Sequence, residues 1–280
     1  MEILIEGKTK LIESLDDPNL IRIRTKDSLT ANDAAIQADL PVAQDKTTQT
    51  IQVFALLKRE GIPVAYKSRN DETSFIAEKC NMIPIECVIR RRPYGSYLKR
   101  VPEKSSAEIF NPVLTEFFHK NAVVGNEQIT EDKARELYLR DGKWTETVYT
   151  DPLIEPKDDV WLLYPPKHPR HDMQPLRDIK PEIDPLTLDY IRTKLMIPCF
   201  ETIEKAWKKV NVDLIDMKIE VGINQNKEIV IADVIDNDSW RIWPNGDPKQ
   251  QLDKQSFRDG EDLTDVQRKY AVVTEYTSKF

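Results

Sequence analysis

The residues best suited to chemistry lie in segment 213–244, which predicts two strands joined by a polar turn. Because alternate residues of a strand face the same side, Asp216, Lys218 and Glu220 share one face of the first strand. In the second strand, Asp233 shares its face with isoleucines, where a carboxylate is costly to bury unless a cation meets it. Glu220 and Asp233 are therefore a natural pair of oxygen ligands for Mg²⁺, with nucleotide phosphates as the remaining ligands. The alternative is a polar outer strand face.

The loop after the second strand favours the metal interpretation. It carries Asp236, Asp238 and Arg241 close together. Charged residues on one strand usually indicate only a solvated face, so the functional interpretation depends on this loop and on the rest of the chain.

A second candidate is the sequence EGKTK at 6–10, which lies between apolar strand residues. Gly7 lets the backbone come close to a ligand, and Lys8 and Lys10 can reach phosphates. The segment is not a P-loop, because the pattern GxxxxGK[ST] is absent. A strand, a turn with glycine and lysine, and a second strand are closer to the way kinases cover phosphates. The alternative is an ordinary lysine-flanked tight turn.

A basic segment is the third candidate, with five basic residues among the eleven from Arg90 to Arg100. Arginine side chains bind phosphate and carboxylate oxygens in a forked geometry, so the segment predicts an anion pocket that includes Ser96. A solvated basic strand end explains the same residues.

A polar loop at 27–35 contributes Asp33, which could act as a base or as a hydrogen-bond acceptor. The other interpretation of Asp33 is a cap for the helix that follows.

Composition bounds the classes of function. The chain has 280 residues with 40% hydrophobic and 32% charged residues, and a net charge of −7. An acidic balance argues against non-specific nucleic-acid binding. Three scattered cysteines indicate free thiols in a reducing, cytoplasmic compartment. We expect no membrane span, because no apolar run approaches the necessary length of about 20 residues.

The order of the predicted elements indicates a small sheet with a helix rather than a parallel βαβ repeat. The first 90 residues favour two strands, a helix over 45–60 that ends at Gly61, and two further strands. Segment 122–186 predicts an irregular elaboration with a short helix near 132–139. A long helix interrupted at Pro198 and a C-terminal helix complete the prediction.

Six stretches occur in an order that resembles one family, SAICAR synthetase, the phosphoribosylaminoimidazole-succinocarboxamide synthase of purine biosynthesis. They cover most of the chain outside about 120–190 and read IEGKTK, DSLTANDAA, MIPIECVIRR with GSYLKR, LIDMKIEVG, IADVIDNDSWRIWP and DKQSFRD. The resemblance implies an ATP-dependent ligase that joins L-aspartate to the carboxylate of carboxyaminoimidazole ribotide (CAIR), giving SAICAR, ADP and phosphate. An ATP-dependent ligase or kinase acting on another acceptor is the alternative.

The resemblance also implies roles for individual residues, with Mg²⁺ as the cofactor. The ATP-binding set is Gly7, Lys8, Thr9, Lys10, Met82, Lys120, Lys218, Glu220 and Asp233. Glu220 and Asp233 are the implied metal ligands. The CAIR-binding set is Arg90, Ser96, Asp238, Arg241 and Arg258. The catalytic candidates are Asp33, Asp216, Lys218 and Asp238, and which aspartate is the base stays open.

The chain departs from the family pattern in its middle. The family carries a lysine–acid motif after an aromatic pair, followed shortly by Asp-Pro. Here Phe117 and Phe118 precede Lys120, but the nearest Asp-Pro is at Asp151, about thirty residues further on. Either an insertion splits the motif or the second acid is absent.

The family fold implies two α+β lobes with mostly antiparallel sheets and an ATP cleft like that of kinases and ATP-grasp enzymes. We expect an ATP-covering lobe at 1–84 and a lobe with the CAIR and metal site at 85–280, containing the insertion at about 122–186. The expected partners are ATP, CAIR and L-aspartate, with no nucleic acid or membrane. Family members are often oligomeric, so a homo-oligomer is a further expectation. The chain ends soon after the last motif, so we expect no fused carboxylase domain.

Overall fold

A five-stranded antiparallel sheet opens the computed structural model, which describes residues 2–31, 36–120, 122–124, 127–129, 148–149, 151–167, 175, 177–258 and 260–280. Its order is β1-β2-β3-β7-β6. The strands are β1 (Ile3–Glu6), β2 (Lys10–Ser14), β3 (Leu20–Thr25), β6 (Tyr66–Arg69) and β7 (Ser74–Glu78). A separate hairpin pairs β4 (Ser28–Ala31) with β5 (Ile36–Asp39). The predicted helix near 132–139 lies outside the described residues.

Helix α1 (Ala43–Arg59) packs against the C-terminal helix α6 (Leu263–Thr277). The Gln49 side chain donates from Nε2 to the carbonyl oxygen of Tyr270 at 2.9 Å. The Thr274 hydroxyl donates to Asp45 Oδ1 at 2.7 Å. These contacts join the C-terminal part of the chain to the N-terminal part, and Met1–Met82 with Pro198–Phe280 form one compact unit.

Strand β16 (Val212–Ile223) pairs with two later strands, both antiparallel. Its C-terminal part, from Glu220, pairs with β17 (Ile229–Ala232), and its N-terminal part, up to Met217, pairs with β18 (Trp240–Pro244). The prediction that Asp233 lies within the second strand is wrong. That strand ends at Ala232, and Asp233 adopts a left-handed backbone with φ of 62°. Simple alternation with the isoleucines therefore does not decide where the Asp233 side chain points.

Gly222 lies in β16 where another backbone segment comes very close. A Cβ added there would lie 2.7 Å from Cys80 Cβ and 3.0 Å from Met82 Sδ. We expect Gly222→Ala to lower the free energy of unfolding by about 1–3 kcal/mol through overpacking, as measured by urea denaturation.

Gly7→Ala is the matched control for this prediction, because the added Cβ would lie at ordinary contact distance from Lys10, at 3.4 Å from its O and 3.9 Å from its Cγ. Its midpoint in urea should stay close to that of the unchanged chain. Equal destabilisation by both substitutions would contradict the overpacking explanation.

The second compact unit, Ile83–Ile197, contains the strand order β15-β14-β13-β9-β8. Its strands are β8 (Asn81–Arg90), β9 (Leu114–His119), β13 (Leu153–Lys157), β14 (Val160–Tyr164) and β15 (Arg177–Ile179). A smaller antiparallel sheet joins β10 (Ala122–Val124), β11 (Glu127–Ile129) and β12 (Val148–Tyr149). The short helix α2 (Ser96–Arg100) follows β8.

The predicted irregular character of 122–186 is wrong for residues 153–164. These residues form an antiparallel hairpin that extends the sheet beside β9. Trp161 and Leu163 are buried in it, at 1% and 0% exposed. The prediction gave more weight to the surrounding prolines than to the alternating apolar residues. Burial of these apolar side chains stabilises the hairpin in the sheet.

Helix α3 (Pro185–Tyr190) begins at Asp184, whose carboxylate accepts a hydrogen bond from the Thr187 amide. A π-helical stretch (Ile191–Met196) then leads into helix α4 (Ile197–Lys209). The predicted interruption at Pro198 is therefore a local widening of the helix just before the proline, which has no N–H to donate. Helix α5 (Gln255–Arg258) lies shortly before α6.

The α+β prediction with antiparallel sheets is confirmed. The two compact units group the residues differently from the predicted lobes, because residues 198–280 cluster with 1–82. The roles given to those lobes stay predictions. Among the described helices, none combines the length and the apolar character needed to cross a membrane.

Candidate functional site

Asp238, in the loop between β17 and β18, accepts hydrogen bonds from three side chains of the first unit. Its Oδ2 lies 2.9 Å from Lys46 Nζ and 3.1 Å from Lys254 Nζ. The Tyr270 hydroxyl donates to Oδ1. One carboxylate is thereby held by three elements, namely helix α1, helix α6 and the segment before α5.

The environment of this loop shifts the pKa values of its two carboxyl groups, Asp236 and Asp238, in opposite directions. Burial alone would raise the pKa of Asp238, but Lys46 and Lys254 outweigh that effect and hold it well below its usual range. Burial raises the pKa of the neighbouring Asp236, and repulsion by Asp238 adds to this against the attraction of Lys46. Two carboxylates whose environments separate their pKa values are a common arrangement at sites of acid–base chemistry.

Lys46 is a residue of this site that the sequence did not identify. Its side chain is 3% exposed and lies on the buried face of α1. Burial alone would lower its pKa, but the attraction of Asp238 and Asp236 more than offsets this and raises it. A lysine at a buried position of an amphipathic helix is the only local signal, because its acidic partner is 192 residues away in sequence.

We expect Lys46→Met to lower the free energy of unfolding by about 3–5 kcal/mol, because the buried Asp236 and Asp238 lose a cation. Urea denaturation measures the change. Lys58→Met is the control, since Lys58 lies on the exposed side of the same helix. It should change stability by less than about 1 kcal/mol. Similar losses in the two variants would show that Lys46 has no special role.

Asp216 and Arg241 form a buried ion pair on adjacent strands. Arg241 Nη1 lies 2.9 Å and 2.8 Å from the two carboxylate oxygens of Asp216. Asp253 accepts hydrogen bonds from the backbone amides of Ile242 and Gln255 nearby.

Arg258 belongs to the same group of charges. Burial lowers its pKa, the nearby Arg241 lowers it further, and Asp253 and Asp238 oppose both effects. Burial also lowers the pKa of Lys254, against the attraction of Asp238. Several buried cations held by carboxylates are suited to binding an anionic ligand.

Glu220 and Asp233 each have a lysine partner. Lys218 Nζ lies 2.6 Å from Glu220 Oε1, and Lys10 pairs with Asp233. Lys218 and Glu220 are two residues apart on β16, so the prediction that they share a face is confirmed.

The chemistry of these groups fits a divalent cation bound together with phosphates. Two carboxylates and the oxygens of a nucleotide suit Mg²⁺, which seldom takes all its ligands from protein. In the part of the chain that the structure describes, no group of three His, Cys, Asp or Glu residues is arranged as a complete metal site. The pairing of Glu220 with Asp233 as metal ligands stays a prediction.

The turn that carries Gly7, Lys8, Thr9 and Lys10 is tied back on itself and to the strand beyond. The Gly7 amide donates to Lys10 O at 2.9 Å, and the Ser28 hydroxyl donates to Lys8 O at 2.8 Å. Lys10 is brought to Asp233 by this turn.

In the second unit, Arg90 and Ser96 lie together. Arg90 Nη2 donates to Ser96 Oγ at 3.2 Å, and Arg90 Nε donates to Glu116 Oε2 at 2.7 Å. Glu116 also pairs with Arg100. The predicted basic segment is therefore not a solvated strand end, because the Arg90 and Arg100 side chains are only 3% and 2% exposed.

Lys120 follows β9, where the two halves of the unusual middle segment come together. The amide of His119 donates to the carbonyl of Pro152 at 2.9 Å, and Leu153 is paired with Phe118. Asp151 is therefore followed directly by residues that pair with the strand end before Lys120. Asp151 and Lys120 are nevertheless thirty-one positions apart in sequence. This pairing favours an insertion that splits the motif over loss of the acid.

The remaining predicted site residues are Met82 and Asp33. Met82 is 45% exposed at the start of β8. Asp33 lies outside the described residues, so the structure does not place it.

The model of one protein family, SAICAR synthetase, matches residues 3–150 and 182–276. The unmatched interval falls inside the predicted insertion. A chicken protein, "Multifunctional protein ADE2", is 39% identical over 262 residues, which is 92% of this chain and 53% of that protein. The chain thus spans about half the length of that relative.

A phosphoribosylaminoimidazole-succinocarboxamide synthase of Chloroflexus aurantiacus is 34% identical over 287 residues, covering 99% of this chain and 96% of that protein. Among solved structures, a SAICAR synthetase (type 2) in complex with ADP has the same fold, with a TM-score of 0.70. It is 23% identical and covers 99% of this chain and 97% of that one.

Proposed function

Because the chain belongs to the SAICAR synthetase family, we propose that it catalyses the ATP-dependent ligation of L-aspartate to CAIR in purine biosynthesis. The main support for the proposal is that the chain has the charged groups that this reaction needs, arranged in ion pairs. Lys10 is paired with Asp233, Lys218 with Glu220, and Arg241 with Asp216. The ADP in a solved structure of the same fold supports nucleotide binding by this chain.

In the proposed reaction, an oxygen of the CAIR carboxylate attacks the γ-phosphorus of ATP and ADP leaves. The aspartate amine then attacks the acyl carbon, and phosphate leaves while the amine gives up a proton. Lys8, Lys10 and Lys218 would lie against the nucleotide phosphates. Such cations stabilise charge that develops during phosphoryl transfer.

Mg²⁺ would be held by Glu220 and Asp233 and would neutralise charge on the transferred phosphoryl group when bound. The two lysines that now pair with these carboxylates would then be free to contact phosphate oxygens instead.

We assign Asp216 and Asp238 to holding cations rather than to accepting a proton. Asp238 accepts from two lysines and a tyrosine, and Asp216 accepts twice from Arg241. Because Lys46 and Lys254 hold the pKa of Asp238 well below its usual range, the Asp238 carboxylate is a weak base. Asp236, with its raised pKa, is a better candidate for exchanging a proton in the described part of the first unit.

Arg90, Ser96, Arg241 and Arg258 are proposed to bind CAIR, as the resemblance to the family implies. Arginine can bind a phosphate or a carboxylate through two parallel hydrogen bonds. The cytoplasm is the proposed location, in agreement with three free thiols.

A panel of acceptors tests the choice of substrate. The purified protein is mixed with ATP, Mg²⁺ and L-aspartate, and either CAIR or other imidazole and aliphatic carboxylates are added. We expect ADP release to depend on CAIR. Turnover with a different acceptor and none with CAIR would replace the proposal with a ligase or kinase of the same fold.

A further inference from the structure

Glu116, in β9 of the second unit, bridges two buried arginines. Its Oε2 accepts from Arg90 Nε at 2.7 Å, and its Oε1 accepts from Arg100 Nη2. The Glu116 side chain is itself only 9% exposed. The bridge therefore lies in a largely dry part of the protein, where a charged hydrogen bond has a well-defined geometry.

Each arginine of this bridge has a further anchor. Arg100 Nη1 donates to the carbonyl oxygen of Pro166 at 2.8 Å, and its guanidinium lies 5.4 Å from the centre of the Phe118 ring. Arg90 Nη2 reaches Ser96 Oγ at 3.2 Å, at the first residue of helix α2. Arg100 thus holds one carboxylate oxygen of Glu116. The other oxygen orients Arg90 toward Ser96.

We propose that Glu116 is a positioning residue that fixes the guanidinium of Arg90 for CAIR binding. This inference rests on the proposed function, in which Arg90 and Ser96 contact CAIR. Glu116 itself does not touch the substrate. It holds Arg90 Nε, while Arg90 Nη1 donates to the Tyr94 carbonyl oxygen at 3.4 Å and Nη2 donates to Ser96 Oγ. The guanidinium is therefore fixed beside Ser96. Pre-ordering of a long side chain reduces the entropy lost on binding.

Steady-state kinetics with Glu116→Gln test the proposal, because glutamine keeps the volume and removes the charge. We expect the KM for CAIR to rise about tenfold or more, with the KM for ATP changed by less than about twofold. Leu163→Ala is the control, since Leu163 is fully buried in the same sheet on β14, which β13 separates from the β9 strand of Glu116. That variant should lose stability and keep its KM for CAIR. An unchanged KM in Glu116→Gln, or an equal rise in Leu163→Ala, would overturn the inference.

Arginine side-chain NMR separates failure of this inference from failure of the proposed function. Arg90→Lys identifies the ¹⁵Nε–H signal of Arg90, which we expect to exchange slowly with solvent in the unchanged chain. In Glu116→Gln the same signal should exchange at least about tenfold faster, because its charged acceptor is gone. A signal with unchanged exchange would overturn the positioning role even if the chain proved inactive toward CAIR.

Discussion

Glu220→Gln is expected to reduce ligation by at least about a hundredfold, because the variant removes one of two carboxylates proposed to hold Mg²⁺ at the transferred phosphoryl group. Glutamine keeps the volume of the side chain, so the fold should persist. The partner Lys218 is 29% exposed and retains access to water. The expected result is therefore a folded protein with little turnover and a higher requirement for Mg²⁺.

Turnover at several Mg²⁺ concentrations measures this effect, with circular dichroism and urea denaturation as tests of folding. Glu228→Gln provides a matched control in the turn that joins β16 to β17. Glu228 is exposed and its carboxylate is bound by Asn224 rather than by a lysine of the site. The control should keep normal turnover. Unchanged turnover in Glu220→Gln would remove Glu220 from the metal site.

Arg241→Ala is expected to weaken CAIR binding by about 2–5 kcal/mol while ATP binding changes much less. The arginine is proposed to provide a forked donor for an anionic group of CAIR, whereas the nucleotide is proposed to meet Lys8, Lys10 and Lys218. The substitution also leaves Asp216 buried without its double hydrogen bond from Arg241. Some loss of stability must therefore accompany the loss of binding.

The double variant Arg241→Ala with Asp216→Asn separates the two effects. Neutralising Asp216 should recover part of the free energy of unfolding, because the buried carboxylate charge is gone. It should not recover CAIR affinity, since the missing donor is still absent. Titration calorimetry with CAIR and with ATP measures both affinities. A normal dissociation constant for CAIR in Arg241→Ala would exclude its proposed role.

Local patterns predicted those parts of the site whose partners are close in sequence. Alternation along β16 places Lys218 and Glu220 on one face, and their ion pair confirms it. The same rule failed for Asp233, because it assumes that the strand continues. The chain instead leaves β17 after Ala232 through a left-handed backbone.

Distant contacts explain what the sequence could not predict. The burial of Lys46 makes sense only once Asp238 is brought to α1 by the pairing of β16 with β17 and β18. The return of Asp151 and Pro152 to the end of β9 depends likewise on pairing across the insertion. The hairpin at 153–164 was not predicted, because the neighbouring prolines favoured an irregular segment. No local periodicity records these partners, because each contact joins segments far apart in the chain.

The conversion of ATP, CAIR and L-aspartate to SAICAR by this chain, with Mg²⁺ as cofactor, can be followed in one assay. Purified protein is mixed with all four components, SAICAR is followed by its ultraviolet absorbance, and each component is omitted in turn. We expect product only when all four components are present. No product from a folded protein that still binds ATP would contradict the proposed function.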